Sequence, residues 1–243
     1  ESDEAIDSLI KAGVDVVLEC SGSFSSRSGA QLMLDNGARA VVFSQPAQAD
    51  VDATIVYGVN QNALRSEHRI VSAASCTTNA IAPPLKAMDD KFGIVAGHVE
   101  TVHAYTNDQN LLDNYHSKYR RGRSAAVNLV ITETGADKAV AKVLPQLAGK
   151  LTGNAVRVPT PNVSLAILNL NLNTEVTKES VNEIMRDAAL NGALVEQIQY
   201  MDSNELVSSD MVGNPCASIF DSQATIVSKD GKSAVLYVWY DNE

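Results

Sequence analysis

Apolar and polar positions along the chain fall into alternating helical and strand-like periods. Ile6, Leu9 and Ile10 recur at helical spacing before Gly13, so residues 3–11 read as a helix. Residues 14–19 form a short apolar run that reads as a buried strand, and residues 25–36 a helix closed by Gly37. Residues 40–43, 54–57 and 69–72 are three more short apolar strands. Wholly apolar strands alternating with helices predict a parallel sheet with helices on its faces. Ligands of such sheets sit beyond the carboxyl ends of the strands, where the turns Cys20-Ser21-Gly22-Ser23 and Ser44-Gln45-Pro46 fall.

The pattern changes after residue 75. Residues 77–91 predict a helix in which Pro83 and Pro84 cause a kink or occupy the first turns. Residues 94–103 read as a strand, and 105–130 as a long polar loop of the kind that is usually functional or disordered. Residues 135–149 read as a helix, and 155–159 and 164–173 as strands, the latter with Leu165, Ile167, Leu168, Leu170 and Leu172. Ser180-x-x-Glu183 reads as a capping box opening a helix that runs to about Leu190, and a last strand covers 234–240. The expected fold class is α/β plus α+β: a parallel-sheet domain over 1–75, then an α+β domain with a mixed or antiparallel sheet over 76–241, with 242–243 turning back toward the first.

Composition narrows the function classes. Among 243 residues, 19 Lys and Arg stand against 29 Asp and Glu, a net charge of −10, which argues against non-specific binding to nucleic acid or anionic membrane. No run approaches the roughly 20 apolar residues of a membrane helix. Three separated cysteines, Cys20, Cys76 and Cys216, make a disulfide framework or cysteine zinc site an unfavoured reading and suggest a reducing compartment, with no metal site. The chain opens on an acidic helical pattern without an initiator Met and stops just after a strand pattern, which is expected of a partial sequence.

Cys76 lies between a strand end and a helix start, where helix N–H groups would lower its pKa. A small buried hydrophobe is the competing reading. Cys20 and Cys216 read as packing residues. His103 ends the strand before the long loop and could serve as a base for Cys76 or simply be a hydrogen-bonded strand end; His68, His98 and His116 read as surface or loop residues. Lys118, Arg120, Arg121 and Arg123 cluster in an acidic protein, and Arg157, within a strand, needs an anionic partner. Thr134-Gly135 before a helix is another candidate anion nest. A thiol, a base and several anion sites suggest chemistry on a phosphorylated substrate.

Five motifs in order, Ser75-Cys76-Thr77-Thr78-Asn79, Thr101-Val102-His103-Ala104, Lys150-Leu151-Thr152-Gly153, Arg157-Val158-Pro159-Thr160-Pro161-Asn162-Val163-Ser164 and Trp239-Tyr240-Asp241-Asn242-Glu243, closely resemble phosphorylating glyceraldehyde-3-phosphate dehydrogenase. The resemblance runs the length of the chain. It implies the C-terminal half of a Rossmann-like cofactor domain followed by the catalytic domain, and the absence of both the Gly-rich phosphate-binding turn and a C-terminal helix. The chain alone is therefore expected not to turn over. The resemblance further implies Cys76 as nucleophile and His103 as its base, with an acyl thioester formed as glyceraldehyde 3-phosphate is oxidised by NAD (NADP stays open) and released by inorganic phosphate as 1,3-bisphosphoglycerate. Ser75, Thr77, Thr134 and Gly135 would bind the attacking phosphate. Thr106, Asp108, Arg121 and Arg157 would hold the substrate's phosphate, Asp108 by orienting an Arg or binding a sugar hydroxyl. Ser21, Gly22, Phe24, Ser44 and Asn242 would approach the cofactor, and Arg123 would hold the subunit-contact loop of a cytoplasmic homotetramer. A dehydrogenase for another phosphorylated aldehyde such as erythrose 4-phosphate, a cysteine hydrolase and a non-catalytic scaffold are the competing readings.

Overall fold

The structure is a computed structural model that describes residues 13–243, apart from the side chain of Asp137. The helix expected over 3–11 lies outside the described residues. Two compact units divide the chain, 1–75 and 76–243.

The first unit carries four parallel strands in the order β1-β2-β4-β3: β1 (Val16–Glu19), β2 (Ala40–Phe43), β3 (Ala53–Thr54) and β4 (Ile70–Ser72). Helix α1 (Arg27–Asp35) starts at Ser26, whose hydroxyl accepts the Gly29 N–H, and buries Ala30 and Met33 against Val41, Phe43 and Ile70. The strand expected over 54–57 is cut short. The Asn60 side chain takes the Val56 N–H at 2.8 Å and donates to the Thr54 carbonyl at 2.9 Å, so a side chain replaces the ladder there.

The second unit is built on an eight-stranded mixed sheet. Its order is β6-β7-β5-β8-β12-β10-β9, with β11 (Ile226–Val227) paired to β12. The strands are β5 (Ile94–Ala104), β6 (Val130–Thr132), β7 (Leu151–Val158), β8 (Ser164–Leu172), β9 (Ile198–Met201), β10 (Ser218–Asp221) and β12 (Ser233–Tyr240). β5 runs parallel to β7, and β9 to β10; the other pairs are antiparallel. In β8 it is Ala166, Leu168, Leu170 and Leu172 that are buried, while Leu165 and Ile167 lie half-buried between them. Helices α2 (Cys76–Phe92) and α4 (Lys178–Leu190) pack against each other, and α2 also meets β8, β10, β12 and α3 (Ala136–Val143).

Several expectations are corrected. α2 runs unbroken through Pro83 and Pro84, both buried in its middle. Proline removes the N–H that each carbonyl four residues earlier would receive, here Asn79 and Ala80. The buried Ser218 hydroxyl of β10 supplies the missing donor, 2.5 Å from the Ala80 oxygen and 3.5 Å from that of Asn79. The helix expected over 135–149 ends at Val143, because Pro145 opens a separate 3-10 turn, Pro145–Leu147. The capping box of α4 lies one turn earlier than expected: Thr177 is the N-cap and Ser180 the reciprocating third residue. The loop over 105–130 contains a 3-10 turn, Tyr119–Gly122, and runs into the short strand β6.

Candidate active site

β5 and β7 pair in parallel with His103 opposite Arg157, so both side chains leave the same face of the sheet. Cys76, the first residue of α2, brings its Sγ to 3.6 Å from His103 Nε2. His103 Nδ1 lies 2.7 Å from the carbonyl oxygen of its neighbour Ala104. The Ala104 carbonyl only accepts, whereas Arg157 Nη1, 3.0 Å from the same Nδ1, only donates; in the tautomer with the hydrogen on Nδ1, Nε2 turns a lone pair toward the thiol. Arg157 Nη1 donates to the same carbonyl at 3.0 Å and to Thr106 Oγ1 at 3.1 Å. Cys76, His103, Thr106 and Arg157 thus form one connected cluster.

The electrostatics differ from the sequence expectation at the thiol. Burial pushes the Cys76 thiol up, and this outweighs the hydrogen bonds from Thr77 and the charge of Arg157, which favour the thiolate. Burial, then the charge of Arg157, lowers His103 to about 4. Both shifts run toward the neutral forms, thiol and imidazole.

Arg157 finds no ion-pair partner among the described residues, and its buried Nε has no hydrogen-bond partner. Among the described residues no carboxylate is the anionic partner expected for it. Arg121, 8% exposed, donates from Nε to Thr132 Oγ1 at 3.0 Å and pairs through Nη1 with Asp108. Burial and then repulsion from Arg157 lower its pKa, so two desolvated guanidinium groups oppose each other. An anion between them would relieve that cost. Asp108 orients Arg121, one of its two expected roles.

Thr77 is buried and bonded to the Tyr240 hydroxyl at 2.9 Å. Thr134 Oγ1 accepts the Ala136 N–H at 3.2 Å and Gly135 is the exposed N-cap of α3. Ser75 is the last residue before α2, next to Ala74, which adopts a left-handed φ of 64°. Arg123 pairs with Asp113 at 3.2 Å, joining two points within the polar loop. Gly122 belongs to the same closure: a Cβ there would strike the Asn114 carbonyl.

Of the expected cofactor residues, Ser21, Gly22 and Ser44 lie exposed on turns after β1 and β2. The buried Glu19 carboxylate organises the first turn by accepting from the N–H and hydroxyl of Ser21 and from Gln45. Burial would raise this carboxyl, but those bonds and one from the Gly22 N–H hold it below its usual value. Gly22 has φ 73° with open space where a Cβ would point, so its backbone can lie against a ligand. This exposed rim of N–H and hydroxyl groups at parallel strand ends suits a nucleotide cofactor. Phe24 instead packs on the core of its unit. Asn242, in the second unit, accepts from Ser164 Oγ at 2.7 Å.

Cys20 is exposed rather than packed, on the turn that follows β1. Cys216 is half-buried beside Val163, Met211 and Ile219. His98, expected on the surface or in a loop, is a surface residue of strand β5, bonded to Thr152 and Asn154, each at 2.8 Å. Among the described residues no group of His, Cys, Asp and Glu could hold a metal ion.

Residues 75–242 match the family of the glyceraldehyde 3-phosphate dehydrogenase C-terminal domain. The chain belongs to the glyceraldehyde-3-phosphate dehydrogenase family. It is 56% identical over 203 residues to a glyceraldehyde-3-phosphate dehydrogenase-like protein of Pseudomonas aeruginosa (strain UCBPP-PA14), covering 84% of this chain and 43% of that protein. It is 46% identical to the glyceraldehyde-3-phosphate dehydrogenase of Zymomonas mobilis subsp. mobilis, covering 96% of this chain and 68% of the relative. It is 48% identical to glyceraldehyde-3-phosphate dehydrogenase 1 of Bacillus subtilis (strain 168), over 100% of this chain and 72% of the relative. The first of these is thus matched over less than half its length.

Sequence reasoning missed Tyr240, Ser164 and Ser218. Parity along β12 carried a signal for the first: Ala234, Leu236 and Val238 are buried, and Tyr240 follows in step.

Proposed function

We propose that the protein oxidises glyceraldehyde 3-phosphate with a nicotinamide cofactor and inorganic phosphate, through a thioester on Cys76, to 1,3-bisphosphoglycerate. The observation that carries this reading is the 3.6 Å approach of Cys76 Sγ to His103 Nε2, with Nδ1 held on the Ala104 carbonyl.

Sγ attacks the aldehyde carbon and its proton passes to His103 Nε2, which returns it to the new oxyanion. The product is a thiohemiacetal. His103 then takes the hydroxyl proton as the carbon–oxygen double bond re-forms and the C–H hydrogen leaves with its electron pair. A nicotinamide cofactor, when bound, would supply the acceptor for that hydride. A phosphate oxygen attacks the resulting thioester, the carbon–sulfur bond breaks, and the Cys76 thiolate recovers its proton from His103. Shifts toward the neutral forms suit this cycle, because the proton moves only as the carbon–sulfur bond forms.

Arg157, Arg121 and Thr106 hold the substrate's phosphate, with Asp108 fixing Arg121. Thr77, Thr134, Gly135 and Ser75 receive the attacking phosphate. Ser21, Gly22, Ser44 and Asn242 hold the cofactor, and the backbone of the Phe24 turn contributes. The division into a cofactor-binding part over 1–75 and a catalytic part over 76–241 follows from the same reading. Exposed Leu111, Leu112, Tyr115, Tyr119, Val127 and Leu129 on the polar loop suit a contact between copies, and a homotetramer is the assembly read from the family resemblance. No helix among the described residues is long and apolar enough to cross a membrane, and a cytoplasmic enzyme using NAD is the reading adopted.

The test, made on the full-length protein because this chain alone is expected not to turn over, is NADH formation from glyceraldehyde 3-phosphate. It should require inorganic phosphate and vanish in Cys76→Ser. Turnover that persists without phosphate would point instead to a hydrolytic fate of the thioester.

A further inference from the structure

Tyr240 ends β12 with 1% of its surface exposed, directly behind the thiol–imidazole pair. Its hydroxyl lies 2.9 Å from Thr77 Oγ1, and Thr77 Oγ1 lies 4.0 Å from Cys76 Sγ. Its ring meets the His103 imidazole edge-to-face, with centroids 5.9 Å apart and planes at 77°. One side chain therefore touches the supports of both reacting partners.

We propose that Tyr240 is a positioning residue whose hydroxyl, donating to Thr77, turns the Thr77 hydroxyl hydrogen toward the Cys76 sulfur, while its ring fixes the plane of His103. Ser164, whose own hydroxyl hydrogen goes to Asn242 Oδ1, also reaches the Tyr240 hydroxyl, and the order that serves the sulfur is the one in which Tyr240 donates to Thr77. Each hydroxyl carries a single hydrogen. If Tyr240 donates to Thr77 Oγ1, the Thr77 hydrogen is free for sulfur, and the chain Tyr240 to Thr77 to Cys76 supplies a donor wherever the sulfur gains negative charge. Burial, and then the nearby sulfur, push the Tyr240 phenol above its usual value, so it stays a donor at any working pH. Polarised in series, the two hydrogen bonds strengthen each other in a dry site.

The groups facing the thiol come from four elements: Thr77 from α2, His103 from β5, Arg157 from β7 and Tyr240 from β12. Removing Tyr240's hydroxyl leaves the histidine and the arginine in place. The effect should therefore appear on sulfur ionisation and not on recognition of the substrate's own phosphate, which Arg157, Arg121 and Thr106 carry.

This inference rests on reading Cys76 as the nucleophile. The experiment is the pH dependence of Cys76 alkylation by iodoacetamide in the whole chain, followed by peptide mass spectrometry, for the unaltered protein, Tyr240→Phe, Thr77→Val and the double variant. Tyr240→Phe should raise the ionisation midpoint and lower the rate at pH 7 about 2- to 10-fold, the worth of one hydrogen bond. Thr77→Val should do the same, the double variant should add nothing, and Tyr237→Phe, on the opposite face of β12, should change neither quantity. An unchanged midpoint in both Tyr240→Phe and Thr77→Val, with Cys76 still reactive in the unaltered protein, overturns the role of Tyr240 alone. Cys76 no more reactive than Cys216 in the unaltered protein overturns the nucleophile reading with it.

Discussion

Arg157 Nη1 stands 3.0 Å from His103 Nδ1, on neighbouring strands and in direct register. The arginine read from the sequence as a phosphate ligand thus adds to burial in disfavouring protonation of the histidine. Its fixed charge opposes a second positive charge on the imidazole, and its hydrogen bond to Ala104 shares the carbonyl that holds Nδ1.

Arg157→Leu should therefore move the His103 midpoint upward from about 4, while leaving it below the ordinary value near 6.5 because burial remains. Proton NMR titration of the His103 ring checks this. The same variant should weaken phosphorylated aldehydes about 10- to 100-fold more than unphosphorylated glyceraldehyde, the worth of a charge-assisted contact. A midpoint that stays put would mean that burial alone depresses it.

His103 also makes stability depend on pH. Its folded pKa, about 4, lies below the ordinary 6.5, so the unfolded chain binds the proton first as pH falls. The sign follows: stability is complete above about pH 6.5 and declines between about 6.5 and 4. The decline should amount to about 2–3 kcal/mol at most. Denaturant unfolding of the second unit across this range should show it, and His103→Gln should flatten that part of the curve. A stability that rises on acidification through this window would contradict the buried, neutral histidine.

Ser218→Ala should loosen the helix that carries Cys76. It leaves the Ala80 carbonyl, freed by Pro84, without its donor inside the protein. A buried carbonyl left unpaired costs about 1–3 kcal/mol. Equilibrium unfolding of the variant measures the loss, and Ser218→Thr, which keeps the hydroxyl, should recover part of it. An unchanged unfolding midpoint in Ser218→Ala would show that the proline carbonyls are satisfied in another way.

Much of this arrangement was legible in the sequence. The strand over 94–103 and a helix over 77–91 were expected from the sequence, and with the helix beginning one residue earlier, at Cys76, they deliver the thiol and the imidazole to one place. The motif resemblance supplied roles that spacing could not. What stayed hidden depends on contacts between distant residues. Pro83 and Pro84 predicted a kink because their remedy, Ser218, lies more than a hundred residues away. The N-cap of α4 moved to Thr177 because Ser180 can serve equally as cap or as third residue, and only backbone geometry decides. β6 was lost because three residues beside a polar loop are too few to show a period. The thiol's resting state was misjudged because helix position is local, whereas burial is set by the whole sheet.

The central claim is that Cys76, served by His103, carries an acyl group as a thioester. Its most direct measurement runs the last step backward and needs no nicotinamide. The chain is mixed with 1,3-bisphosphoglycerate, quenched in acid and mapped by mass spectrometry. The account predicts one phosphoglyceryl group on Cys76, release of one phosphate, slower acylation in His103→Asn and none in Cys76→Ser. No adduct on Cys76, or adducts spread equally over Cys20, Cys76 and Cys216, would contradict it.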